Sequence, residues 1–281
     1  MNPTERYRLA LQSPVLVGDK DRDGWVGLFD PERGFVEDPV EAGRYQGRAN
    51  IEMFWDVFIG PQPSVRFDVE RDFWAGDTLV RQCTVVNITQ AHPDRTLRVP
   101  ALIRYTLAGD RVGSLRAVWE PRGVVSWFFG MGGRGLWALG RHGLRMTTTA
   151  GLGNALSFGR TLMGSLRRPQ AEALVEGLRS GEARRWTGLA RTRITVGDGD
   201  ESQTFEGDTP QAFERLDAVC DVAQLRLDQL LVCGHHVGAF LKQPGGDGAL
   251  AVMLRTEGPE RVHSMTALWS PKARVLEYDA G

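Results

Sequence analysis

The chain has 281 residues, of which 42% are hydrophobic and 25% are charged, and its net charge is −1. Such a composition is typical of a globular protein, and the length allows one large domain or two of ordinary size. A nearly neutral chain has no general electrostatic attraction to nucleic acid, so its overall charge argues against that class of protein.

The first predicted elements are two helices followed by a strand. Residues 4–17 have a helical pattern that contains Pro14, and residues 21–29 form a second, short helix. The stretch GFVEDPVEAGRYQG at 34–47 predicts a strand that ends at Asp38, because Pro39 has no N–H to donate to a neighbouring strand.

Landmarks of the first half of the chain recur in the second half in the same order. RYQGRANIEMFWDVF (44–58) resembles TFEGDTPQAFERLDAV (204–219), since each has an aromatic residue and a glycine before an amphipathic helix. VGSLRAVWEP (112–121) shares Val, Ser, Ala, Trp and Pro with VHSMTALWSP (262–271). We therefore predict two copies of one module.

Each copy is predicted to begin with helices and to continue into an antiparallel meander. Alternating runs on either side of Gly76 and of Gly234 predict a hairpin in each copy. A helix in the second copy is predicted between Pro169, near its start, and Gly181, just past its end. The fold class is therefore α+β, with each curved sheet wrapped over helices around a conical apolar pocket.

A family resemblance rests on two segments. ALQSPVLVGDKDRDGWVGLFDPERGFVEDPVEAGRYQG (10–47) resembles the ketosteroid isomerase branch of the NTF2-like, or SnoaL-like, superfamily in the order of its helix, Gly-Asp, Leu-Phe and VEDP. RYTLAGDRVGSLRAVWE (104–120) is similar to the last two strands of that family. The resemblance covers residues 4–121 well and 168–271 weakly, and it implies tandem NTF2-like cone folds, the second of them degenerate.

The resemblance also implies roles for single residues. Asp38 would be the base that removes a proton beside a carbonyl and returns it two carbons away. Tyr7 lies on the first helix, where the family has a tyrosine that donates to the enolate oxygen, and Tyr45 and Tyr105 are reserve donors. The family's second donor position falls on Ile103, whose side chain has no proton to donate, so half of the usual oxyanion hole is missing.

We therefore expect the first module to bind an apolar carbonyl ligand of steroid or polyketide size and to isomerise its double bond through Asp38. Its predicted ligand contacts are apolar or aromatic side chains, namely Phe54, Phe58, Trp74, Ile103, Tyr105 and Trp119. Ile103 favours a rival, a non-catalytic steroid or lipid carrier at the membrane surface. A polyketide cyclase or dehydratase is a further alternative, because it could use the same Asp38.

The segment from 121 to 171 contains no Asp or Glu but has seven arginines, so the rest of the chain is net acidic. Its first half interleaves Trp, Phe and Leu with Gly and Arg, which is typical of a segment at an anionic membrane surface. The alternative is a linker that buries its aromatic side chains between the two modules.

The predicted organisation is a ligand-binding or catalytic module at 1–121, a linker at 122–167 and a degenerate module at 168–281 that pairs with the first. The three cysteines have no metal or redox spacing, and their odd number favours a reducing compartment. No apolar stretch suggests a leader or a membrane span. We expect a cytoplasmic protein, on the inner face of the plasma membrane if the membrane interpretation holds, with no metal, cofactor or nucleic-acid partner.

Overall fold

The computed structural model describes residues 3–89, 92–163, 166–182, 193–198, 201–206, 209–257 and 262–278. The chain divides into two compact units. Unit 1 comprises Met1–Glu70, Arg81–Met163 and Leu276–Gly281, and unit 2 comprises Arg71–Val80 and Gly164–Val275. The acid-free helical segment up to Met163 therefore belongs to unit 1.

The first half of the chain contains seven of the α-helices that we number. These are α1 (Pro3–Arg6), α2 (Arg8–Gly18), α3 (Arg22–Gly27), α4 (Arg48–Phe54), α5 (Pro121–Phe129), α6 (Gly133–Arg145) and α7 (Gly151–Met163). Short π-helical turns extend α4 over Trp55–Ile59 and α6 over Met146–Ala150. The strands are β1 (Phe35–Glu37), β2 (Tyr45–Gln46), β3 (Ser64–Ala75), β4 (Thr78–Thr89), β5 (His92–Ala108) and β6 (Arg111–Val118).

The described residues from 166 onward repeat the order from α3 to β6, which is a helix, two strands, a helix and four strands. The helices there are α8 (Arg168–Arg179) and α9 (Thr209–Val219), with a 3-10 turn at Val222–Gln224. The strands there are β7 (Arg193–Asp198), β8 (Glu201–Glu206), β9 (Arg226–Cys233), β10 (His236–Lys242), β11 (Ala249–Thr256) and β12 (Val262–Ser270).

Local sequence signals account for several element boundaries. Asp21 caps α3, because its side chain accepts a hydrogen bond of 2.9 Å from the backbone N–H of Gly24. Pro121 lies in the first turn of α5, where a missing N–H costs nothing. Gly76 and Gly234 turn the β3–β4 and β9–β10 hairpins at φ values of 54° and 57°, which favour glycine.

The two sheets have the same topology. Their strand orders are β2-β1-β6-β5-β4-β3 and β8-β7-β12-β11-β10-β9. In each sheet the first strand of the copy pairs in parallel with the last, β1 with β6 and β7 with β12, while the other described pairs are antiparallel. This equivalence confirms the predicted α+β class and the tandem repeat.

Each unit has its own apolar core. In unit 1 the largest fully buried side chains are aromatic, among them Trp25, Tyr7, Tyr45, Tyr105 and Phe54. In unit 2, α8 and α9 pack through residues such as Leu174 and Leu216 against aliphatic residues of the sheet. Among the described helices, none is both long enough and apolar enough to cross a bilayer.

Candidate active site

A cavity of about 280 Å³ lies within unit 1. Residues two apart on a strand point to the same face of the sheet, and such residues of β3 to β6 form one wall of this cavity. The register confirms the arrangement, because Ile103 lies opposite Ala117 and Tyr105 lies opposite Leu115. This wall is mainly apolar and includes Val85, Val99, Ala101, Ile103, Leu115 and Ala117.

Helices supply the rest of the cavity lining. Aromatic rings line it from α3, α4 and the π turn after α4, and further side chains reach it from α5, α6 and α7. The rings pack on one another: Trp25 stacks on Phe54 at a centroid distance of 6.0 Å, and Phe54 stacks on Phe58 at 4.9 Å. The acid-free segment therefore forms part of the ligand cavity, a placement that its composition did not predict.

Asp38 reaches the cavity from the end of β1. That strand pairs in parallel with β6, with Glu37 opposite Arg116, and the two side chains form an ion pair of 2.9 Å. Adjacent strand residues point to opposite faces, and Asp38, the next residue after Glu37, is a lining residue of the cavity. The backbone N–H of Val40 then donates to Ala117 across 2.9 Å and holds the turn after Pro39 against β6.

The Asp38 carboxylate accepts a hydrogen bond of 2.6 Å from the indole Nε1 of Trp119. Removal from bulk water raises the pKa of Asp38 to about 6, and the Trp119 hydrogen bond opposes this rise because it favours the charged form. Among the described lining residues Asp38 is the one acid. A carboxylate with this pKa is an effective proton acceptor near neutral pH.

Tyr105 places a hydroxyl in the same cavity. Its hydroxyl donates a hydrogen bond of 3.3 Å to Ser13 Oγ, which also accepts a hydrogen bond of 2.9 Å from Trp25 Nε1. Burial raises the pKa of Tyr105 to about 12, and the charge of Asp38 adds to this rise. The phenol therefore keeps its proton at neutral pH, and to donate a hydrogen bond to an oxyanion it has to turn that proton away from Ser13.

Most of the predicted site residues meet at this cavity: Asp38, Phe54, Phe58, Ile103, Tyr105 and Trp119 all line it. Tyr7 and Trp74 are not among its described lining residues. Tyr7 is fully buried just before α2, and Trp74 belongs to unit 2. The roles assigned to these residues stay predictions.

The reserve donor Tyr45 is buried beside the cavity rather than in its lining. Its ring packs edge-on against Phe54 and Phe58 at 5.3 and 6.1 Å. Burial raises the pKa of Tyr45 to about 12, and its hydroxyl has no hydrogen-bond partner among the described residues.

Sequence reasoning missed Ser13, Trp25 and the lining residues of α5 to α7. Ser13 and Trp25 lie in helices that the sequence predicted, but nothing in their spacing indicates which helix face meets the sheet. In the acid-free segment, Phe128, Trp137 and Phe158 were visible as aromatic residues of an amphipathic stretch, yet no local signal indicates that they face a cavity.

No group of His, Cys, Asp and Glu in the described ranges could hold a metal ion. Cys83, Cys220 and Cys233 are buried, and no disulfide bond joins them. The described cavity lining offers the carboxylate of Asp38, the phenol of Tyr105, the neutral hydrogen-bonding groups of Trp119 and Ser13, and basic side chains on α6.

No protein-family model matches the sequence, and no curated protein matches it. Solved structures are similar to part of the chain. One is a Mycobacterium tuberculosis protein in complex with estradiol-17beta-hemisuccinate, 18% identical with a TM-score of 0.36, covering 40% of this chain and 90% of that chain. Another is the Delta 5-3-ketosteroid isomerase from Mycobacterium sp., 21% identical with a TM-score of 0.36, covering 40% and 89%.

A third similar structure is a protein from Jannaschia sp. described as a SnoaL-like polyketide cyclase, 20% identical with a TM-score of 0.39, covering 45% of this chain and 94% of that chain. Each of these proteins covers less than half of this chain.

Proposed function

We propose that unit 1 binds an apolar carbonyl compound of steroid or polyketide size and that Asp38 isomerises a double bond in it. The observation that carries this proposal is the position of Asp38, a carboxylate with a raised pKa in a largely apolar cavity. Burying a carboxylate in a largely apolar cavity costs free energy. A proton-transfer role accounts for the presence of Asp38 in this cavity despite that cost.

The proposed reaction has two proton transfers. The Asp38 carboxylate removes a proton from the carbon between the carbonyl and the double bond, which yields a dienolate and a neutral Asp38. Tyr105 donates a hydrogen bond to the dienolate oxygen while it carries the negative charge. Asp38 then returns the same proton to the far carbon, so the double bond becomes conjugated with the carbonyl and no other reactant is consumed.

Ile103 limits this chemistry. It lies in the cavity wall with an aliphatic side chain, so it offers no second donor to the dienolate oxygen. Removal of one such donor lowers the rate of other enzymes by roughly 10²–10³. We therefore expect a slow isomerase.

The test replaces the base while it keeps the shape of the site. Asp38→Asn should abolish conversion of a β,γ-unsaturated steroid ketone to its conjugated isomer, followed by ultraviolet absorbance, and should leave binding of the conjugated product intact. Glu37→Gln is the matched control, because it removes the neighbouring carboxylate, which pairs with Arg116. An Asp38→Asn variant that is as active as the wild type would disprove the catalytic role.

A second candidate function is a non-catalytic carrier that meets an anionic membrane through α6 and α7. Large apolar side chains are exposed along single faces of these helices, at Leu136 and Leu144 on α6 and at Leu152, Leu156 and Met163 on α7. Exposed arginines, including Arg134 and Arg160, accompany them without any acid in the segment. This combination of apolar and basic side chains suits the headgroup region of an anionic bilayer.

A second copy of this chain fits the same surface poorly. A symmetric dimer places the same patch on both partners, so arginines would face arginines with no acid of the segment to offset them. Both candidate functions use the same cavity. They differ in whether Asp38 converts the bound ligand into a product.

A further inference from the structure

The described charged residues that line the cavity are distributed unevenly. Asp38 is the acid among them, whereas Arg141, which is exposed, and Arg145, which is half-buried, line the cavity from α6 together with His142. Residues four apart on a helix lie on the same side of it, so the two arginines are neighbours. The cavity thus has an acidic group at the end of β1 and a basic group on α6.

Aromatic rings separate these two groups. Tyr105 and Trp25 meet at Ser13, and from Trp25 the ring contacts run through Phe54 and Phe58 to His142 with centroid distances of 6.0, 4.9 and 5.4 Å. A ligand that lies along these rings therefore has one end near the phenol of Tyr105 and the other near α6.

The two arginines are not neutralised by the protein. Among the described residues neither Arg141 nor Arg145 has an ion-pair partner, and the guanidinium of Arg141 lies 5.3 Å from the centroid of the Trp137 ring. The segment from 121 to 171 supplies no acid. His142 adds little positive charge, because burial, aided by the charge of Arg145, lowers its pKa. It can still offer an imidazole N–H.

We propose that the ligand of this cavity is an amphipathic acid: an apolar body with its carbonyl at Asp38 and a carboxylate at the far end, bound by Arg141 and Arg145. This inference rests on the proposed function and specifies its substrate class. Guanidinium groups bind carboxylates through paired, charge-assisted hydrogen bonds. Asp38 repels the same carboxylate, so the two poles select one orientation of the ligand.

The experiment compares two ligands. One is a steroid enone with a carboxylate on a short ester arm at the end opposite the ketone, and the other is the methyl ester of the same acid. Binding is measured by calorimetry in buffer without vesicles, which excludes a contribution from lipid headgroups. Wild-type protein should bind the acid at least tenfold more tightly than the ester. The double variant Arg141→Gln with Arg145→Gln should bind both compounds with the affinity of the ester. Arg141→Lys with Arg145→Lys should keep only part of the preference, because lysine retains the charge but not the paired hydrogen bonds.

The matched control is Arg134→Gln with Arg160→Gln, which removes the same charge from exposed positions of α6 and α7 outside the described lining. It should keep the preference for the acid. Equal affinities of the wild type for acid and ester would overturn the inference, and so would equal losses in the two Gln variants. The methyl ester distinguishes the two proposals. If wild-type protein binds the ester and binds the acid no more tightly, only the inference fails. If neither compound binds, the proposed function fails as well.

Discussion

The indole N–H of Trp119 donates to the Asp38 carboxylate across 2.6 Å. These residues are 81 positions apart in the chain, and the parallel pairing of β1 with β6 brings the ends of their strands together. The hydrogen bond favours the charged carboxylate, whereas desolvation favours the neutral acid and is the larger effect. The balance leaves the pKa of Asp38 at about 6.

The first prediction concerns the pH dependence of isomerisation. Because the carboxylate is the active form, kcat/KM should fall as the pH drops below about 6. Trp119→Phe removes the hydrogen bond that lowers this pKa, so the midpoint of the acidic limb should move to higher pH. Trp127→Phe is the control, because Trp127 lies on α5 outside the described cavity lining. A midpoint that is unchanged in Trp119→Phe would show that the bond does not tune the base.

The second prediction concerns stability. The pKa of Asp38 in the folded protein is about 6, above its ordinary value of 3.8, so the folded state retains a proton that the unfolded state releases between these values. The free energy of unfolding should therefore decrease as the pH rises through this window. Asp38→Asn removes the buried charge and should stabilise the protein at pH 8 by up to about 3 kcal/mol, with little effect at pH 3. Urea unfolding at both pH values measures the difference, and a variant that is less stable at pH 8 would contradict it.

The third prediction separates the two tyrosine donors. Tyr105 lines the cavity and Tyr7 is not among its described lining residues. Tyr105→Phe should lower kcat by roughly 10²–10³ with little change in KM, because it removes a donor that acts on the dienolate. Tyr7→Phe should change kcat much less. If instead Tyr7→Phe carries the large loss, the donor indicated by the family resemblance is the correct one.

The fourth prediction tests the membrane surface of α6 and α7 by co-sedimentation with anionic vesicles. Binding should weaken with salt without vanishing, because salt screens the arginines but not apolar burial. Arg134→Gln with Arg160→Gln should remove much of the salt-sensitive part, at about 1 kcal/mol per arginine. Leu152→Ala with Leu156→Ala should remove most of the salt-resistant part.

Leu227→Ala is the control for that experiment, because Leu227 is an exposed leucine of unit 2, outside the acid-free segment. It should leave vesicle binding unchanged. Wild-type protein that stays in the supernatant even at low salt would exclude the carrier at the membrane surface.

Local signals in the sequence were enough to predict the repeat and much of the site. Gly76 and Gly234 mark the hairpins because their backbone angles favour glycine. Pro39 marks the end of β1 because it cannot donate to a neighbouring strand, and the family resemblance implies that Asp38, just before it, is the base. Ile103 and Tyr105 could be placed on one face of β5 because strand residues alternate.

Tertiary structure alone decided which tyrosine and which helices share the cavity with Asp38. The choice between Tyr7 and Tyr105 depends on how α2 packs against the sheet, and the approach of Trp119 to Asp38 depends on the parallel pairing of β1 with β6. The placement of α5 to α7 in unit 1 likewise depends on contacts with α4 and its π turn, such as that between His142 and Phe58. Sequence periodicity shows which side of an element is apolar, but the surface it meets is selected by contacts between distant parts of the chain.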